Sequence, residues 1–163
     1  MKPSSKVKSI IAAGLITMTG CAGYTYNGVT LNDLQDNPSQ AIGGAMASAV
    51  THLAGHMLSA EMMGEKASWN GQIEHIHTND EEKINTFKNA GFAAQLAVGY
   101  AMKLSGHDST FSRAFNTYTA AQLVSYPALN QDDVHNDFSG NNAIAYPVGI
   151  ALVTPLITKS TSK

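Results

Sequence analysis

Residues 51–61 read THLAGHMLSAE, which places His52 and His56 four apart in an otherwise apolar run. On a helix that spacing stacks both imidazoles on one face, the face shared by Ala45, Ala49, Ser59 and Met63. The pair can then reach one zinc or another divalent ion, or it can pack and hydrogen-bond inside a helical core. The spacing serves both uses. A catalytic zinc site takes three protein ligands, and the pair supplies two. Glu61 does not complete it, because nine residues beyond His52 is half a turn away at about 100° per residue.

Two further clusters carry donors of the right type. DDVHND, residues 132–137, would add Asp133, His135 and Asp137 as metal ligands from a loop that continues through Ser139, Gly140 and Asn141. Loops carry much of the binding function of proteins, although the plainer role of such a loop is a solvated acidic turn and helix cap. Glu74-His75-Ile76-His77 points its two histidines the same way only if the segment is extended. His107, in Ser-Gly-His-Asp, sits where a helix ends and suits its terminal carbonyls.

HLAGH resembles the zinc-metallopeptidase helix HExGH. The resemblance implies a zinc-dependent hydrolase holding its metal through His52 and His56, and it makes zinc the one cofactor these residues point to. Leu53 stands where that family carries its glutamate, and leucine can neither polarise a zinc-bound water nor move a proton. The resemblance therefore implies a degenerate relative, or a hydrolase working by another route. No GxSxG elbow, P-loop or GxGxxG fingerprint occurs in the chain.

The N-terminus addresses location. Lys2, Lys6 and Lys8 precede the apolar stretch Ile10–Met18, the charged and apolar regions of a secretory signal, and that stretch is far short of the roughly 20 apolar residues of a membrane span. Met18-Thr19-Gly20-Cys21 then resembles the lipobox of bacterial lipoproteins, with Met18 where leucine is usual. The resemblance implies cleavage before Cys21 and acylation of that residue, palmitate included; an ordinary cleaved signal or an uncleaved signal anchor are the alternatives. Cys21 is the single cysteine, so an internal disulfide is excluded. Two or more acyl chains, at about 0.8 kcal/mol per buried CH2, anchor a protein stably. Ala22 in place of aspartate after the cysteine implies, by the enterobacterial pattern, an outer-membrane protein facing the periplasm.

Only 13% of the 163 residues are charged, against about 25% in ordinary domains, so apolar surroundings or a partner are expected. Residues 1–20 hold three lysines and no acid, leaving seven basic against twelve acidic side chains, a net charge of −5. With Arg113 the only arginine, a nucleic-acid partner is excluded for want of a basic patch.

The elements that must position these residues follow from start and stop signals. Residues 21–40 read as the lipidated N-terminus and a tether, with a hairpin at Asn27-Gly28, and residues 41–163 as one domain. Helices are predicted near 39–63, stopped at Gly64; 80–104, capped from Asn79-Asp80 and stopped at Gly106; 110–125, capped by Ser109 and ended before Pro127; and 143–157. Residues 65–78 suggest a short or broken helix. The expected fold is mostly α, a bundle of about four helices. The expected function is a non-catalytic envelope lipoprotein that packs with the membrane surface, an integral membrane protein or copies of itself.

Overall fold

A computed structural model describes residues 24–69, 74–129 and 145–160. The chain is mostly α-helical: α1 is Leu31–Asp36, α2 Pro38–Met62, α3 Glu81–Leu104, α4 Thr110–Leu129 and α5 Ala145–Val153, the last followed by a 3-10 turn at Thr154–Leu156. Among the described residues two small antiparallel ribbons accompany the helices, β1 (Tyr24–Tyr26) with β4 (Thr158–Ser160) and β2 (Ala67–Trp69) with β3 (Glu74–Ile76).

Local chemistry sets most helix ends. The Asp80 carboxylate accepts from the amides of Glu82 and Lys83 at the start of α3, and Glu81 and Glu82 add negative charge where the helix dipole favours it. Ser109 and Ser112 cap the start of α4 reciprocally. Gly64 and Gly106 adopt φ of 71° and 76°, so α2 and α3 end in paired turns in which Glu65 N–H reaches Ala60 O and His107 N–H reaches Met102 O.

Three expectations are corrected. Tyr24–Tyr26 does not turn at Asn27-Gly28 onto a neighbouring strand; it pairs with residues 158–160, Tyr26 opposite Thr158. The next residues are also folded, because Thr30 and Asp33 form a capping box on α1 and Asp33 is ion-paired with Arg113 of α4. Residues 67–69 pair with residues 74–76 as a ribbon rather than forming a helix, Trp69 opposite Glu74, and Trp69 and Ile76 are residue types that favour strands. Pro127 lies inside α4. Proline loses its own N–H and crowds the carbonyl four residues back, yet its φ is helical, so the last turn continues to Leu129.

Packing centres on α2, which lies against α3 and α4 together. Its buried residues Gly44, Ser48, His52, His56 and Ala60 recur every four positions, as do Phe87, Gly91, Gln95 and Gly99 on α3. Those ridges are built mostly of small or polar side chains. A Cβ at Gly44 would lie 2.2 Å from the Phe111 carbonyl oxygen of α4, and one at Gly55 2.6 Å from the Ala90 carbonyl oxygen of α3, so backbone meets backbone at both crossings. The larger apolar residues collect at the other end, where Leu123, Val153, Leu156 and Ile157 pack with Phe92, Leu96 and Tyr100.

The crossings give a graded expectation. Gly43, whose added Cβ would meet only the Phe111 ring at 3.7 Å, should tolerate alanine or gain from it, since alanine is favoured over glycine within a helix by about 0.5–1 kcal/mol. Gly44→Ala and Gly55→Ala should instead lose about 1–3 kcal/mol to overpacking. Urea unfolding of the three variants checks the order, and equal stabilities would refute the close crossings.

Candidate functional site

The four-residue ridge of α2 carries His52 and His56 inward, against Gly91 and Gln95 of α3. Both are 6% exposed. Their Nε2 atoms face each other at 3.0 Å, and each ring is tied at its other nitrogen: His56 Nδ1 lies 2.6 Å from the Phe87 carbonyl oxygen, His52 Nδ1 3.0 Å from Gln95 Oε1. Phe92 meets His52 edge-on with ring centroids 4.7 Å apart, and Phe87 lies 4.9 Å from His56. Gly91 leaves room for the pair, since a Cβ there would stand 2.5 Å from His56 Nε2.

The hydrogen bonds continue through the core. Gln95, fully buried, donates from Nε2 to the Ser48 carbonyl, to Ser48 Oγ at 2.8 Å and to Gln122 Oε1 at 2.9 Å. Ser48 Oγ pairs with Thr119 Oγ1, which donates to the Phe115 carbonyl. One polar chain therefore links α2, α3 and α4 through their interior.

Proton counting gives this chain its chemistry. A backbone carbonyl only accepts, so Phe87 O requires a proton on His56 Nδ1. Ser48 O requires the Gln95 amide nitrogen on its side, which turns Gln95 Oε1 to His52 and requires a proton on His52 Nδ1 as well. Two neutral rings so protonated present two bare Nε2 lone pairs to each other. One cation between them resolves the conflict, and 3.0 Å is the span of an N–H···N bond, whereas two tetrahedral zinc ligands at about 2.0–2.1 Å would stand roughly 3.3–3.4 Å apart. Anchoring of both Nδ1 atoms is also how metal-ligating histidines are held. Burial opposes any added charge and, with His56 adjacent, pushes His52 down to about 4 against the bond from Gln95.

Among the described residues no group of three or more His, Cys, Asp or Glu side chains gathers to hold a metal. Glu61 is exposed, as its half-turn offset requires. Asp133, His135, Asp137 and the lipidation candidate Cys21 lie outside the described residues. His75 and His77 fall in and just after an extended strand and are both exposed, His77 Nε2 lying 3.0 Å from Ser68 Oγ. His107 does close a helix end, through its own amide to Met102 O and its ring to Ser105 Oγ.

Gln95, Gly91, Ser48 and Thr119 were not singled out as site residues in the sequence. The available signal was the spacing Phe87, Gly91, Gln95, Gly99, which repeats on one helix face as His52 and His56 do. No family model, characterised protein or solved structure matches the chain.

A lowered His52 pKa fixes the sign of a pH dependence. The unfolded histidine binds its proton near 6.5 and the folded one near 4, so the neutral ring's contribution is complete above pH 6.5 and is lost as pH falls towards 4. Unfolding free energy should drop over that window by up to about 1.4 kcal/mol per pH unit, and His52→Gln should flatten the drop. Stability that rises on acidification would instead show that the shared proton outweighs burial.

Proposed function

We propose that this chain is a lipid-anchored envelope protein, non-catalytic, that lays the outer face of α2 on the membrane surface. The observation that carries this reading is the exposure of that face. Ile42, Met46, Val50, Leu58 and Met62 are 57–80% exposed, and no charged residue occurs from Ala41 to Ala60. Side chains four apart adjoin, so these residues and exposed Ala54 trace a band about 30 Å long at 1.5 Å per residue. Soluble monomers seldom leave a long apolar band in water.

The lipobox-like MTGC supplies the anchor. Only three residue steps separate Cys21 from Tyr24, where β1 begins, and three extended residues reach at most about 11 Å. Acylation at Cys21 would therefore hold the folded body against the bilayer. Trp69, 56% exposed on β2, is a side chain suited to the polar-apolar boundary. No helix among the described residues is long and apolar enough to cross a membrane, so the reading is of a body lying on lipid. By the residue after Cys21, that lipid is the outer membrane on its periplasmic side in a Gram-negative cell.

A second reading, a zinc-dependent hydrolase or its degenerate descendant, draws on the convergent Nε2 atoms of His52 and His56. Leu53 in place of a general base and the 6% exposure of both rings weigh against it.

Cys21→Ser should abolish fatty-acid labelling and release the protein from membranes. In lipidated protein carrying Met46→Cys or Leu58→Cys labelled with an environment-sensitive fluorophore, emission should shift to the blue and be quenched by brominated phospholipids. A label that stays aqueous on lipid vesicles would sink the surface-lying reading. Crosslinking through the same positions to a second copy or to an integral membrane protein would move α2 to a protein interface.

A further inference from the structure

Where α3 ends, α4 begins and β4 returns, the described residues surround a cleft of about 210 Å³ whose wall includes Lys103, His107, Asp108, Arg113, Asn116 and Lys159. Asn116 is 6% exposed, and its Oδ1 is buried with no hydrogen-bond partner among the described residues. A buried carboxamide left unpaired is costly. Gly99 packs beside it, an added Cβ there standing 2.6 Å from Oδ1, so α3 offers it no side-chain partner at that position.

The charges around the cleft do not balance. Asp108 binds Arg113 at 3.1 Å and Lys159 at 2.6 Å, and Arg113 also pairs with Asp33; both carboxyls are held below the usual carboxylate range, Asp33 chiefly by Arg113 and Asp108 chiefly by Lys159. Two cations thus meet two carboxylates. Lys103 is the third cation, and among the described residues its Nζ meets only the carbonyl oxygens of Pro155 and Thr158. A positive charge without a counter-charge and an unpaired amide therefore share one small opening, in a chain that is net negative beyond residue 20.

We propose that this cleft binds a phosphate oxyanion. Lys103 supplies the uncompensated charge, and the Asn116 carboxamide pairs with a phosphate oxygen through its N–H or, turned about its last torsion, with a P–OH through its oxygen. The phosphate can be free or belong to a lipid headgroup. Asn27, also on the cleft wall, is six residues from Cys21, at most about 21 Å of extended chain. The headgroup source rests on the lipid-anchored reading; phosphate binding itself does not.

The test titrates inorganic phosphate into the full-length protein in non-ionic detergent, by calorimetry. Saturable binding should appear in the millimolar range or tighter, at least tenfold weaker in Lys103→Gln and in Asn116→Ala and unchanged in Lys66→Gln on β2's approach. Short-chain phosphatidylglycerol that displaces the phosphate identifies a headgroup; phosphate that resists it identifies the free ion. No saturation by about 10 mM, or equal affinity in native protein and Lys103→Gln, overturns the proposal. Should Cys21→Ser leave membrane attachment intact while phosphate still binds, only the lipid-anchored reading falls.

Discussion

The close approach of α2 to both its neighbours is the constraint from which the rest of the core follows. Glycines at 44 and 55 bring the α2 backbone against carbonyls of α4 and α3, and at that separation there is no volume for a layer of leucines. The side chains that fit are short or flat, and several are polar: Ser48, His52, His56, Gln95 and Thr119. Each must then be paired internally, because water has been squeezed out. The hydrogen-bonded chain from Phe87 O to Phe115 O is what narrow spacing demands of these residues. The same geometry explains where the apolar side chains went. An inner face that cannot take bulk leaves Ile42, Met46, Val50 and Leu58 to the outer one.

Such a core has two forces in opposition at its centre. Anchoring both imidazoles to acceptors leaves their Nε2 lone pairs opposed, which favours a proton between them. Burial among Phe87, Phe92 and Gly91 disfavours the charge that proton would bring. For His52 burial is the larger effect, and the adjacent His56 acts in the same direction. A paired polar core is thereby bought at the expense of one poorly matched link, and the helices are fixed in register by bonds that tolerate little sliding.

The fold class and the three long helices were legible because their ends carry strong local chemistry: Asp80, Ser109, Gly64 and Gly106 each act through the atoms of one turn. What escaped depended on distance along the chain. Nothing near Tyr24 announces a partner at residue 160, and nothing near Asp33 announces Arg113. The pairing of 67–69 with 74–76 was hidden by amphipathic spacing that suits a short helix as well. At the candidate site, the facing of His52 and His56 was readable from their four-residue spacing. Their burial was not, because it depends on Gly91 and Gln95, and those matter only once α3 is laid across α2. Asn116 gave no sign, since an unpaired amide is defined by what fails to surround it.

The β1–β4 ribbon makes the two ends of the domain mutually dependent. A ribosome delivers Tyr24–Tyr26 long before Thr158–Ser160, so β1 must wait for β4, and the 3-10 turn that buries Leu156 against α3 and α5 arrives with it. A chain closed in this way cannot complete this ribbon until residues 158–160 have been made. A fragment that stops short of residue 158 would therefore leave Tyr24–Tyr26 as an unpaired strand edge, the kind of edge through which chains associate.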